Sequence, residues 1–291
     1  LVYGPDPVSS GARAYLVTVQ SINGMALGLS FAGIAQARSP SIYSGAMLLG
    51  GGIGAVSSLL ASRNGVTSGE AGAVNHGTFL GGVGAMFTGF ALANSIKDGR
   101  AVAGIVAGGL TLGTGAGILW AAQSPLSGRV EFTASMGYLG AFTAAHLFLA
   151  TRGYGTFDGR DDDPSAVLGW SSLGATAAGL VAGALLAPNV QMSAARVRWM
   201  SLSALGGWFV IGSSSALLAA DGDGEDVLLA YSIGSMVGVG GGLALGYFLT
   251  QNTDSYWERM HEGVARRTGP TLNVSPGGPG GSPGLSLGGT F

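Results

Sequence analysis

Four polar residues recur at corresponding places along the chain and could form one layer inside a helix bundle. Asn23, His76, Ser135 and Ser201 each precede a Leu-Gly pair by four residues, and this spacing keeps the polar residue and the leucine on one helical face. Such a layer can supply hydrogen bonds between helices, which we expect, or a ligand site. His146 is the other histidine within an uncharged stretch, and a metal site would need two or more such ligands together.

Acidic loops are the other candidate for chemistry, because clustered carboxylates can hold a divalent cation. The two loops are 158–163 and 221–226. Counted from Asp221, the second loop has carboxylates at positions 1, 3 and 5, as a calcium loop does, but Ser232 stands at position 12, where a calcium loop has its last ligand. Acidic residues at helix starts also complement the helix dipole, so solvated turns are the favoured interpretation. The weak candidate ligands are Asp161, Asp163, Asp221, Asp223 and Glu225.

Signatures of catalysis are missing from the sequence. The chain has no cysteine, which excludes disulfides, thiolate metal sites and cysteine nucleophiles. Glycine runs such as 50–52 lack the strand and the Lys-Ser/Thr of a phosphate loop. No serine lies in a strand-turn-helix elbow with a partner histidine. With a net charge of −2 and no basic stripe, the sequence predicts no enzyme activity, no cofactor and no nucleic-acid partner.

The residues of the polar layer lie within long stretches that carry no charged side chain. A helix rises about 1.5 Å per residue and the apolar core of a bilayer is about 30 Å thick, so about 20 residues cross it. Only 10% of the 291 residues are charged, against about 25% in soluble domains. The sequence therefore predicts an all-α, polytopic transmembrane helix bundle. Its eight uncharged stretches are 14–37, 39–62, 71–96, 101–128, 132–151, 164–195, 199–220 and 227–253.

Turn and capping residues divide the bundle into four helical hairpins, one after another. Asn64-Gly65 and Asp221-Gly222 predict turns, and Asp163-Pro164 predicts a helix start. We predict helices near 13–37, 40–62, 69–97, 100–123, 128–151, 164–187, 194–219 and 225–251. The predicted segments are an N-terminal extension 1–12, a membrane domain 13–251 with hairpins 13–65, 66–123, 124–188 and 189–251, a short polar interfacial segment 252–268 and a flexible Gly/Pro-rich tail 269–291.

The hairpin is predicted to be an internal repeat packed through small residues. The Leu-Gly pairs Leu27-Gly28, Leu80-Gly81, Leu139-Gly140 and Leu205-Gly206 mark its first helix. In the second helix small residues recur every four positions, and such faces let helix backbones approach closely in lipid. Because a unit has two helices, both ends of the membrane domain lie on one side. The ladders include Gly109, Gly113, Gly117, Gly234, Gly238, Gly242 and Gly246.

Two functions fit this sequence. The first is a non-enzymatic integral membrane protein, a structural scaffold or accessory subunit of a larger membrane assembly, whose partners are lipid and other membrane subunits or further copies of itself. The alternative is a passive pore or a carrier for a small uncharged solute, lined by the polar layer. Basic residues are nearly balanced between the two faces, so the positive-inside rule gives only a weak orientation signal. In an inner membrane it favours both ends in the cytoplasm, and the choice between inner and outer membrane stays open. A mean hydropathy of +0.44 would suit export into a bacterial envelope. A start at Leu1 fits either a cleaved signal peptide, which would also suit export, or a shortened chain.

Overall fold

A computed structural model describes residues 6–152, 164–189, 192–252, 271–275 and 284–288. Most of the described residues are helical, and several helices begin just after a residue that is typical of helix caps. Ser9, Ser39 and Asp98 cap α1, α2 and α4 by accepting backbone N–H groups that have no partner within the helix. The helices are α1 Ser10–Ile34, α2 Pro40–Ala61, α3 Ser68–Ala91, α4 Gly99–Ala121, α5 Ser127–Arg152, α6 Pro164–Leu186, α7 Ala194–Gly207, α8 Ser213–Leu218 and α9 Gly224–Leu249.

Helices α7 and α8 form one continuous rod, joined by a π-helical turn at Trp208–Gly212. The sequence predicts a single regular helix over 194–219, and the wider turn is a local departure from it. The other clear difference is α3, which ends at Ala91 although 69–97 is predicted as helix. Residues 92–98 include Asn94, Ser95 and Asp98, whose short polar side chains compete with the helical backbone for hydrogen bonds.

Six helices in the described part of the chain are long and apolar enough to cross a membrane. They are α1, α2, α4, α6 with its following 3-10 turn, the α7–α8 rod and α9. This supports an integral membrane protein. Helices α3 and α5 have 24 and 26 residues, long enough to span, but they are more polar. Both place many side chains against neighbouring helices, so less of their surface needs to suit lipid.

The helices pack in pairs that follow the chain. α1 packs on α2, α3 on α4, α5 on α6, and the α7–α8 rod on α9. The first helix of each pair also contacts the next pair: α1 contacts α3 and α4, α3 contacts α5 and α6, and α5 contacts α7 and α9. Among the described helices the result is an open array. The outer members of this array are α2 and the α7–α8 rod. The only helix with which α2 makes an extensive contact, among those described, is α1.

The first residues of the described chain cross the ends of α3 and α5. Val8 pairs with Thr67 as a single antiparallel bridge, and the Asp6 carboxylate accepts a hydrogen bond from the backbone N–H of Ser127 at 2.7 Å. Part of the predicted extension 1–12 therefore belongs to the helical unit, since α1 begins at Ser10. This segment ties three helix starts together at one face.

Residues 250–291 form a separate unit. Its described part contains two strands, β1 Thr271–Ser275 and β2 Gly284–Gly288, which pair antiparallel with Thr271 opposite Gly288. The sequence predicts a flexible tail here. Apolar residues alternate at 272 and 274 and again at 285 and 287, a spacing that suits a strand. The predicted interfacial segment lies outside the described residues from 253 onward.

Candidate functional site

One group of polar side chains surrounds Glu131, in the first turns of α5. The Glu131 side chain is only 7% exposed. Its Oε2 lies 3.1 Å from His76 Nε2, and its Oε1 accepts hydrogen bonds from Nε and Nη2 of Arg198, with Nε at 2.7 Å. His76 Nδ1 lies 3.0 Å from the Tyr138 hydroxyl. We call Glu131, His76, Arg198 and Tyr138 the Glu131 cluster; it joins α3, α5 and α7.

The location of the Glu131 cluster near helix starts explains how a carboxylate is tolerated there. A negative charge is favoured near a helix N-terminus, and Glu131 is the fifth residue of α5. Arg198 lies at the corresponding place in α7, half exposed, with its guanidinium carbon 5.9 Å from the ring centre of Tyr15 in α1. The cluster therefore sits toward one end of the bundle. Its carboxylate, imidazole, phenol and guanidinium form one connected set of hydrogen bonds.

A second polar group, the amide network, joins α1, α3 and α4. Gln20 Nε2 donates hydrogen bonds to Asn75 Oδ1 at 3.1 Å and to Thr78 Oγ1 at 3.0 Å. Asn23 Nδ2 donates to Gln20 Oε1 at 3.2 Å and to Thr114 Oγ1 at 3.3 Å, and the two threonine hydroxyls lie 2.8 Å apart. Four of the five side chains belong to buried residues. Buried polar groups need such partners, so the network pins three helices in one register.

The four residues of the predicted polar layer belong to three groups of contacts. Asn23 lies in the amide network and His76 in the Glu131 cluster. Ser135 and Ser201 face each other, with their hydroxyl oxygens 3.1 Å apart. Each residue therefore bonds to a neighbouring side chain, and the structure brings Ser135 and Ser201 directly together.

Sequence reasoning missed Glu131 and Arg198 because it uses charged residues only to mark the ends of the uncharged helices. A usable signal was present. Glu131 precedes Ser135 by four residues and Arg198 precedes Ser201 by three, so both charges lie on the helical faces of the predicted layer. Opposite charges at matching places in neighbouring first helices predict an ion pair.

His146 lies among aromatic rings from α5, the π-helical turn and α9. Its ring stacks on Phe142 with the ring centres 3.9 Å apart, and Trp208 and Tyr231 lie 6.4 and 5.8 Å from it. Nδ1 is 2.9 Å from the backbone oxygen of Phe142, and a carbonyl can only accept, so Nδ1 carries the proton. Within the described residues His146 Nε2 is buried without a hydrogen-bond partner.

The acidic loops are described only in part. Asp161 and Asp163 lie outside the described residues. In the second loop, Asp223 Oδ1 accepts hydrogen bonds from the N–H groups of Glu225 and Asp226, both at 3.0 Å, so it caps the start of α9. Asp221, Asp223 and Glu225 are exposed. The described residues hold no group of three or more metal-ligating side chains.

Glycines of the predicted ladders lie against the first helix of their pair. A Cβ on Gly113 would lie 2.6 Å from the Gly81 Cα, and one on Gly242 would lie 2.8 Å from the Ala204 Cα, so any side chain would force the helices apart. A Cβ on Gly109, Gly117, Gly238 or Gly246 would likewise meet atoms of the first helix of the pair. A Cβ on Gly234 would instead meet the side chain of Ser215 in α8. In the last pair the glycine that meets the partner backbone is Gly207, one residue after the predicted Gly206, which has open space.

Comparison with known proteins adds no relative. The chain matches no protein-family model, no curated protein and no solved structure.

Proposed function

We propose that the chain is a non-enzymatic integral membrane protein that serves as a structural or accessory subunit of a larger membrane assembly. The open array carries this proposal. Within the chain 11% of the α2 span, 11% of the α4 span and 6% of the α7–α8 span are buried, against 33% for α1 and α9. The two outer members also lack a neighbouring pair on one side, so they offer large helix surfaces to lipid or to another subunit.

A repeated contact supports the idea that these outer members accept partners. The first helix of a pair packs on the second helix of the next pair three times, as α1 on α4, α3 on α6 and α5 on α9. If the four hairpins are repeats of one unit, the α7–α8 rod lacks the following helix and α2 lacks the preceding one. Complementary ends of this kind join subunits head to tail.

Small-residue packing is part of the proposal. In lipid there is little hydrophobic drive between helices, and association relies on close backbone approach. Gly113 and Gly242 lie in such approaches within their pairs. On the free side of α2, Gly52 lies among Leu48, Leu49 and Ile53 in a shallow apolar groove of about 490 Å³. The same packing mode can then operate between subunits.

Particle mass in the native membrane tests the proposal. The protein is extracted with its lipid by a polymer that needs no detergent, and mass photometry measures the particles. We expect particles heavier than one 28.8 kDa chain with its lipid. Gly52→Phe should release single chains because it fills the free side of α2. Gly108→Phe is the matched control, since a Cβ there also meets open space. Single chains in the wild type would overturn the proposal.

The cellular membrane is a further part of the proposal. We place the protein in a bacterial envelope, because glycine-rich spans of mild hydropathy are retained less by the insertion machinery than strongly apolar ones. Fractionation of cells tests it: recovery with outer-membrane markers supports export, and recovery with inner-membrane markers contradicts export.

A passive pore or carrier for a small uncharged solute is the second candidate. The polar interior favours it, since Gln20, Asn23 and Asn75 are buried. The amide groups bond mainly to one another, however, which favours the structural role. Osmotic swelling of liposomes that contain the protein separates the two: swelling faster than in protein-free liposomes supports a pore, and equal rates contradict it.

A further inference from the structure

A cleft of about 610 Å³ opens where α4 ends, α5 begins and α6 ends. Its lining includes Trp120, Gln123 and Ser124 at and after the end of α4, Arg129 of α5, and Leu180 and Val181 of α6. Because α4 and α6 are apolar spans that end here, the cleft lies at the boundary between the apolar core and the headgroup region. Tryptophan is enriched at this depth. The cleft size is that of small-molecule sites.

The two sides of the cleft differ in polarity in a way that suits one class of ligand. On the α6 side Val181 is exposed and Leu180 is half-buried against α5, so this side of the cleft is apolar. The Arg129 side chain is exposed, and its guanidinium makes no hydrogen bond or ion pair with the described residues. An arginine presents a planar fork of donors that matches a phosphate. An apolar wall beside an unpaired cation at this depth matches a phospholipid.

Neighbouring acidic groups are already engaged in other contacts. The Asp6 carboxylate caps the first N–H of α5 through Ser127, so the helix N-terminus is occupied and the cation available to a ligand is Arg129. Glu70 forms the capping box of α3 with Thr67 and accepts a hydrogen bond from the Ser124 hydroxyl at 3.3 Å. Neither carboxylate pairs with Arg129 in the described chain.

We propose that the cleft binds one anionic phospholipid. The phosphate lies at Arg129 and Gln123, and one acyl chain lies along Leu180 and Val181. A lipid held here fills the gap between α4 and α6, which make no extensive contact with each other. The inference is independent of the proposed assembly, because the cleft lies within one chain.

Native mass spectrometry from nanodiscs tests the site. Nanodiscs contain either phosphatidylcholine alone or an equal mixture with phosphatidylglycerol, and lipid adducts on the released protein are counted. We expect one retained phosphatidylglycerol. Arg129→Gln should weaken retention about fivefold, the loss of one arginine–phosphate attraction. Arg63→Gln is the matched control, an exposed arginine at the same face but outside the cleft.

A second variant tests the apolar wall without touching the charge. Ala184 lines the cleft and is exposed, so Ala184→Phe should reduce retention of both lipids and leave the thermal transition unchanged. Equal retention of phosphatidylglycerol by wild type and Arg129→Gln would overturn the proposal, as would equal retention of the two lipids by wild type. Displacement of the lipid by millimolar inorganic phosphate would show a free-anion site and would also overturn it.

Discussion

Glu131 illustrates how an apolar bundle accommodates a carboxylate. Removing a charge from water is costly, and a nearby opposite charge offsets that cost only when the remaining hydrogen-bonding capacity is also used. Both Glu131 oxygens are engaged, one by His76 and the other by Arg198. Arg198 is 50% exposed, so its charge keeps access to water while its partner is covered. The pair is stable because its location near the helix starts lets one member stay hydrated.

Replacing Glu131 with glutamine tests this account. Glu131→Gln removes the charge that Arg198 and His76 face, and a broken buried hydrogen-bonded pair is expensive. We expect the free energy of unfolding to fall by about 1–3 kcal/mol, measured as a lower midpoint of thermal unfolding in mild detergent. The control is Glu225→Gln, since Glu225 is exposed. Equal midpoints for the two variants would contradict a stabilising role for the cluster.

The hydroxyl of Thr78 provides a second test at single-atom resolution. Thr78→Val keeps the side-chain shape and removes the group that accepts from Gln20 and contacts Thr114. Polar contacts between membrane helices contribute about 0.6–1.7 kcal/mol, and we expect a loss within that range by the same thermal assay. Thr111→Val on the exposed side of α4 should change little. A Thr78 variant as stable as the Thr111 variant would mean that the amide network adds no stability.

At the scale of helices, the sequence predicts most of the fold from charge spacing and capping residues. Ser9, Ser39, Thr67 and Asp98 cap the first four helices, and local chemistry of this kind is readable without a structure. The π-helical turn at Trp208–Gly212 is not, because it depends on how the α7–α8 rod fits its neighbours. A count of charged residues also does not distinguish α3 and α5 from the more apolar helices, because it treats glycine and serine as apolar.

The candidate sites were harder to predict than the helices because they also depend on which helices are neighbours. The spacing of Asn23, His76, Ser135 and Ser201 selects inward-facing positions, but it does not say which helices are neighbours. His76 meets Glu131 because α3 packs on α5, whereas Asn23 meets Thr114 because α1 packs on α4. Pairing across helices is long-range information, and one sequence alone does not contain it in readable form.

The close contact between Gly113 of α4 and Gly81 of α3 can be tested with single alanine substitutions. Gly113→Ala would place a methyl group 2.6 Å from the Gly81 Cα, and overpacking of this kind costs about 1–3 kcal/mol. Gly108→Ala meets open space on the other side of the same helix and should be neutral or stabilising by up to about 1 kcal/mol, since alanine is the better helix former. Thermal unfolding of both variants gives the comparison. A tolerated Gly113→Ala would mean that α3 and α4 can separate at no cost.

At the scale of the whole molecule, the open array places different demands on different helices. The outer members α2 and α7–α8 are apolar and little buried within the chain, whereas α3 carries nine buried residues and holds His76 and Asn75. A helix that neighbours surround does not need an apolar surface in order to lie at membrane depth. The lower hydropathy of α3 is therefore consistent with a spanning helix at the centre of the array, and its crossing can be tested directly.

The absence of native cysteine makes this crossing measurable with single introduced thiols. Asn64 and Lys97 are exposed residues on either side of α3, whose 24 residues extend about 36 Å at 1.5 Å per residue. We expect a membrane-impermeant maleimide to label Asn64→Cys and Lys97→Cys from opposite sides of sealed, uniformly oriented vesicles. Asp223→Cys, in the turn between α8 and α9, should behave like Lys97→Cys because two further hairpins restore the side. The unmodified chain has no cysteine and controls for background, and detergent should expose all three sites. If Asn64→Cys and Lys97→Cys react from the same side of intact vesicles, α3 does not cross the membrane.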